Sequence, residues 1–396
     1  MNYLEENGII DVSYIQEVVE MEKRKTILAN HPYKIWEGKD SYWHTYLVKD
    51  DGTLQHKKRK HKDDIEKDVV QYYIDKEERP KFREVYQKWI AEKEECGELE
   101  ANSITRYDNA FERYFPPNEP FCDIRLCNMT DGKLEKFIKL TIKKFNMTKK
   151  TYSMFTLILR GVFKFAKREK YTTFDITSFF NNLVLKKNIF EKKYVNPKSQ
   201  VFSRNEARQL INYFQNNPTV IHLGLILAFY TGVRIGELCT LKRSDNIEKY
   251  FLTIQRTEVT YKDKILNKYV TTIKESTKGD EARVIDLPRK AQAIIDQLYL
   301  LNPNGEFLFM DDKGRIKSKR FNYYLTKACR ELGIQEKTSH KMRKTYGSNL
   351  LEKEVGEAIV QGQLGHKQIS TTHNFYHYDI TDDDERSDII DQAVVY

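Results

Sequence analysis

The chain has 396 residues, carries 67 lysines and arginines against 58 aspartates and glutamates for a net charge of +9, and is 40% hydrophobic. That length and apolar content fit two or three folded domains and exclude a wholly disordered chain. The most apolar run, Leu223 to Tyr230, falls well short of the ~20 residues that cross a bilayer, and the acid-bearing start MNYLEENGIIDV does not read as a secretory leader.

Residues 12–29 read as a short helix with charged faces. From Tyr33 the pattern changes to period two, and YKIWEGK, SYWHTYLV and LQHKKRKH read as three strands. The turns between them hold Gly38 with Asp40, and Asp51 with Gly52. In the second strand Trp43, Thr45 and Leu47 share one face, and Tyr42, His44 and Tyr46 the other. The third strand is strongly basic through Lys57, Lys58, Arg59 and Lys60, flanked by His56 and His61. A helix over 62–76 is placed to cover one face. A small sheet with one basic, aromatic face can enter a DNA groove. The same lysines can also serve only to protect a sheet edge.

Near Pro80 a helical unit begins. PKFREVYQKWIAEKEE, SITRYDNAFERYF, TDGKLEKFIKLTIKKF and TKKTYSMFTLILRGVFKFAKREKY carry apolar residues at helical spacing. The last is expected to bury Tyr152, Phe155, Leu159, Val162, Phe163 and Ala166, leaving Lys149, Lys150, Arg160, Lys164, Lys167 and Arg168 outside. Such stripes are either solvated faces or phosphate contacts. The polar segment 185–200 reads as a linker. FSRNEARQLINYF restarts a helix with Ser203 and Glu206 spaced as a capping box. The remainder is mostly helical, interrupted by a hairpin near 250–287. Five scattered cysteines argue against a disulfide framework, and Cys122 and Cys127 have no second pair that would make a zinc site.

Within this last unit, YTGVRIGELCTL places Arg234 beyond a glycine turn at a helix start, with Glu237 one turn on. STKGDEARVIDLP reads as a tight turn between two strands with Lys278 at its lip. TSHKMRKTYGSNLL puts His340 and Arg343 on one helical face, capped by Thr338 or Ser339. LGH then delivers His366, and STTHNFYHY carries Tyr376 and Tyr378. Singly, each is an ordinary surface or structural residue.

In this order and with these separations the residues resemble the tyrosine recombinases, or phage-type integrases. That family's pattern stands here as Thr231-Gly232-Val233-Arg234 with Glu237-Leu238, Lys278, His340 with Arg343, Leu364-Gly365-His366, and Tyr376. The resemblance spans about 200–380. In part of the family the nucleophile lies nine residues after the histidine of L-G-H, where this chain has Phe375; Tyr376 stands at ten, flanked by Thr371, Thr372 and His377, with Tyr378 the alternative. The N-terminal layout is similar to integrases of conjugative transposons and phages of Gram-positive bacteria.

The resemblance implies a multidomain, mainly α fold: an arm-type DNA-binding domain over 1–78 built as a three-stranded sheet plus helix, a helical core-binding domain over 79–184, a linker over 185–200, and an α+β catalytic domain over 201–396. It implies Arg234 and Arg343 as clamps on the phosphate, His340 and His366 as donors or proton shuttles, Lys278 as the acid for the leaving 5′ oxygen and Tyr376 as the nucleophile. No cofactor or metal is expected, since the arginines supply the positive charge. Implied partners are double-stranded DNA at crossover and arm sites, three further copies of the chain on synapsed DNA, and an accessory excision factor. The implied location is the bacterial cytoplasm, at the nucleoid when DNA is bound, with no membrane contact. A type IB topoisomerase and a non-catalytic DNA-binding relative are the rival readings.

Overall fold

The computed structural model describes residues 12–49, 52–186, 188–194, 196–247, 250–277, 281–366 and 378–394. Contacts divide the chain into two compact units, Met1–Lys192 and Lys193–Tyr396.

In the first unit, helix α1 (Val12–Ala29) packs on α2 (Lys62–Glu78), where Arg24 bonds Glu66 at 3.0 Å. Strands β1 (Trp36–Glu37), β2 (Trp43–Val48) and β3 (Leu54–Arg59) form an antiparallel sheet in that order, the outer two shorter than the sequence predicts. Thr45 and Leu47 are buried, and the Tyr72 hydroxyl of α2 donates to the Val48 carbonyl at 2.7 Å. On the other face Trp36 stacks on His44 and His44 on His56, and Lys58 lies 4.1 Å from the centre of the Tyr42 ring. The pleat corrects the picture of one basic strand. The register pairs His44 with Lys58, Thr45 with Lys57 and Trp43 with Arg59, so Lys58 joins the aromatic face while Lys57 and Arg59 take the other. There Arg59 pairs with Asp68 at 2.8 Å.

Five helices follow: α3 (Phe82–Glu95), α4 (Ala101–Tyr114), α5 (Asp131–Lys144), α6 (Lys149–Arg168) and α7 (Ile176–Asn182). Their core centres on Phe82, Phe111, Phe115, Phe121 and Phe155. Thr130 and Thr148 cap α5 and α6 by accepting a backbone N–H one turn on. Helix α6 buries Phe155, Leu159, Val162, Phe163 and Ala166 as the spacing predicts, and also Ile158 and Phe165. Tyr152 is only half-buried.

The second unit is organised on α9 (Val220–Thr231), a helix apolar on all sides and therefore enclosed. Around it pack α8 (Arg204–Asn216), α11 (Arg289–Leu301), α12 (Ser318–Glu331) and α13 (Ser339–Glu352). The predicted Ser203–Glu206 capping box opens α8. A single turn, α10 (Ile235–Leu238), follows α9. Strands β4 (Asn246–Ile247), β5 (Phe251–Ile254) and β8 (Arg283–Asp286) form one sheet; β6 (Thr257–Asp263) and β7 (Lys268–Lys274) form a separate hairpin. The strands flanking 278–280 are thus not partners, contrary to the simple hairpin expected. The cause is burial: Ile285 of β8 pairs with Leu252 of β5 in the core, whereas β7 has no fully buried residue.

A second correction concerns α13. The Thr338 side chain makes no capping bond; Asn322 of α12 accepts the Ser339 N–H at 3.1 Å instead. After short strands β9 (Met310–Asp311) and β10 (Gly314–Arg315), the chain ends with α14 (Glu357–Leu364) and α15 (Asp383–Ala393). Ile380 is buried, its carbonyl accepts the Arg204 N–H at 3.0 Å, and Asp382 accepts the Asn205 N–H. Ile389, Ile390 and Val394 are exposed. Among the described residues no helix is long and apolar enough to cross a membrane.

Candidate active site

Two helices of the second unit end on a left-handed glycine. Gly232 closes α9 at φ +62° and Gly365 closes α14 at φ +61°. A side chain is excluded at both for a second reason. A Cβ on Gly232 would meet the Tyr346 ring at 2.3 Å, and one on Gly365 would meet Arg283 Cδ at 2.7 Å. These ends expose carbonyls, the negative pole of a helix, and two arginines occupy them. Arg343 Nη1 donates to Gly232 O at 2.7 Å and its Nη2 to Leu364 O; Arg234 Nη2 reaches Gly365 O at 3.5 Å.

Arg234 is the residue before the first turn of α10, as the glycine turn predicts, and its Nη1 donates to Glu237 Oε1 at 2.7 Å. Glu237 is 1% exposed. Burial works to raise its pKa, but Arg283 first, then Arg234 and Arg343, outweigh it and hold the carboxyl at about 2. Arg283 Nη1 and Nη2 donate to the two Glu237 oxygens at 3.0 and 2.7 Å. One carboxylate therefore carries two guanidiniums.

Arg343 is also 1% exposed, and its Nη2 lies 3.3 Å from His366 Nε2. A guanidinium can only donate, so Nε2 accepts and a neutral His366 holds its proton on Nδ1. Burial, then Arg343, Arg234, Arg283 and His340, lowers the His366 pKa to about 4. His340 sits at the start of the helix that carries Arg343, its pKa likewise lowered to about 4 by desolvation and then by Lys344, Arg343, Lys341 and Arg234. Both imidazoles are neutral near pH 7 without an anion present.

Arg234, Arg283, Gly365 and His366 line a cleft of about 370 Å³ together with Thr277 and Glu281. Thr277 Oγ1 donates to Glu281 O at 2.7 Å, so the residues bordering 278–280 are tied together at the cleft. Lys278 itself and Tyr376 lie outside the described residues, as do Thr371, Thr372, Phe375 and His377. Arg234, His340, Arg343 and His366 are brought together. The sequence model of the phage integrase family matches residues 200–381. That segment, a little under half of the chain, is similar to the phage integrase family.

Tyrosine recombinase XerA of Thermococcus kodakarensis is 26% identical to this chain over 178 residues, which are 44% of this chain and 56% of that protein. The chain thus spans little more than half of that curated relative. The Tn1549 transposon integrase in complex with a circular intermediate DNA has the same fold, with a TM-score of 0.59 at 14% identity over 78% of this chain and 99% of that one. A lambda integrase tetramer bound to a Holliday junction gives 0.55 at 15% identity over 86% and 97%.

The charged residues expected to touch DNA sort differently. Lys149, Lys150 and Lys164 of α6 are exposed and have no ion pair among the described residues. Arg160 stacks on Phe180 at 4.0 Å, Lys167 pairs with Asp175, and Arg168 with Glu92 and Glu169. Lys58 bonds Asp40 at 2.7 Å on the open sheet face, and Lys60 is exposed just past β3.

Sequence reasoning missed Arg283, Lys344 and Gln200. Arg283 had a signal: in ARVIDLP it alternates in phase with Ile285, and an arginine on the inward face of a strand needs a carboxylate. Lys344, buried beside Arg343, has Gln200 Oε1 at 3.1 Å and the Tyr378 hydroxyl at 3.0 Å. Nothing in the spacing pointed to either partner.

Proposed function

We propose that the chain is a site-specific DNA recombinase that cuts and rejoins DNA through a 3′-phosphotyrosine bond, integrating and excising a mobile element. Two arginines and two imidazoles, drawn from three distant sequence segments, meet beside one cleft, and that convergence carries the proposal. Attack on a phosphodiester builds negative charge on its non-bridging oxygens. Arg234 stabilises that charge with its guanidinium, and Arg343, held on the Gly232 and Leu364 carbonyls, adds positive potential beside it. His340 and His366, neutral without DNA, donate or accept single protons as the phosphate changes geometry. Tyr376 attacks phosphorus, and Lys278 protonates the departing 5′ oxygen. A phenol titrates near pH 10, so cations around the phosphate also favour its ionised form. The covalent bond preserves the phosphodiester's energy, and a second 5′-hydroxyl reverses the attack to exchange strands without ATP.

In this proposal residues 1–78 bind arm sites through the sheet and Lys57, Lys58, Arg59 and Lys60. Residues 79–184 bind the core site through Lys149, Lys150, Arg160 and Lys164, residues 185–200 link the two parts, and 201–396 do the chemistry. Four copies act on two synapsed duplexes in the bacterial cytoplasm, with an accessory factor directing excision. A nicked duplex bearing the sequence that the full chain selects from a random pool tests the chemistry. The wild type becomes covalently attached to DNA and Tyr376→Phe does not. An adduct that survives this substitution refutes the nucleophile; relaxation of plasmids without strand transfer between two sites refutes recombination.

A further inference from the structure

Arg283 is assigned no part in the chemistry above, yet it contacts both Glu237 and Gly365 at the cleft. It grips both oxygens of Glu237 and shares Oε1 with Arg234. Its side chain runs against Gly365 so closely that a Cβ there would collide, and Arg234 and His366 line the same cleft. It opens β8, three residues after the stretch that follows Thr277 and includes Lys278.

We infer that Arg283 is a positioning residue whose charge neutralises Glu237 and so leaves Arg234 free to turn its guanidinium toward a phosphate. Glu237 is fully buried and ionised, so its charge must be met inside the protein. With Arg283 present, two guanidiniums answer one carboxylate, and the group keeps a net positive charge at the cleft. Without it, Glu237 has Arg234 as its one remaining direct ion-pair partner among the described residues. Arg234 is then drawn fully onto Glu237 and withdrawn from the substrate. Arg283 also ties β8 to the turn that carries Arg234.

This inference rests on the recombinase proposal, and the test separates the two. Single-turnover attachment to the nicked duplex described above is measured alongside binding of the same duplex. Arg283→Met is expected to slow attachment on the order of 10- to 100-fold, the scale of a misplaced catalytic group, with binding within about twofold. Adding Glu237→Gln to Arg283→Met removes the carboxylate that captures Arg234 and restores part of the lost rate. Packing alone predicts no such rescue. Arg283→Lys, which keeps the charge, retains most of the rate and carries the comparison if the methionine variant fails to fold. Wild-type attachment with an equally fast Arg283→Met, or a double variant no faster than Arg283→Met, overturns the inference alone. A wild type that never attaches overturns the recombinase proposal on which it rests.

Discussion

The ammonium of Lys344 lies 3.0 Å from the phenol oxygen of Tyr378, and the Tyr378 backbone N–H donates to Ser348 Oγ at 3.2 Å. Both partners belong to α13, the helix that also presents His340 and Arg343. Two residues of chain span at most ~7 Å, so whatever fixes Tyr378 constrains residue 376. Tyr378→Phe keeps the ring over Lys344 and removes the hydroxyl. It is expected to slow covalent attachment about tenfold while leaving an adduct on Tyr376. Peptide mapping of the adduct checks this, and a complete loss would make Tyr378 the nucleophile.

The two depressed histidines set a pH dependence. Their folded pKa values near 4 lie below the ordinary 6.5, so the unfolded chain binds more protons between those limits. Stability from this source is complete above about pH 6.5 and is lost as pH falls toward 4. For the buried His366 the loss is on the order of 2–3 kcal/mol, and for the more exposed His340 less. Across pH 8 to 4 the melting temperature of His366→Gln should fall less than that of the wild type. Phosphate binding opposes the shift, so affinity for DNA should rise over the same acid window.

Gly232→Ala combines a left-handed backbone with a collision against Tyr346. A loss of about 1–3 kcal/mol is expected, read as a lower melting temperature. Covalent attachment should fall further than stability does, because Gly232 O also holds Arg343.

On the N-terminal sheet, Lys58 and Arg59 are neighbours with different surroundings. Lys58 stands over the Tyr42 ring and pairs with the exposed carboxylate of Asp40, whereas Arg59 pairs with the more buried Asp68. Lys58→Ala should reduce the salt dependence of arm-site binding by about one phosphate contact, a slope change of ~0.9. Arg59→Ala should change it less. Anisotropy titrations of the full chain at several salt concentrations decide this.

Removing residues 387–396 leaves the attachments of Ile380, Asp382 and Glu385 intact but deletes Ile389, Ile390 and Val394. The melting temperature should hold. If the exposed face docks on a neighbouring copy, assembly of four copies on paired sites should weaken while single-site binding persists; sizing on DNA measures both.

Much of this was legible in the amino acids. Period-two and helical spacing gave the three strands, the bundle helices and the apolar face of α6, and the Ser203–Glu206 cap appeared as expected. Local chemistry located Arg234 after its glycine turn. What spacing does not encode is which surfaces meet. The Asn322 cap on α13, the pairing of β8 with β5 and the grip of Arg283 on Glu237 join residues separated by 17, 29 or more and 46 positions. The split of the basic strand was implicit in the pleat, but lysine-rich composition masked it.

The cradle of Arg343 is made of peptide oxygens, at Gly232 and Leu364. Main-chain atoms are common to every amino acid, so the cradle places no demand of its own on the side chains of α9 and α14 beyond the two glycines and a packing that keeps the helical path. Reactive geometry of this kind is inherited from the course of the polypeptide, and it tolerates extensive drift in the surrounding residues.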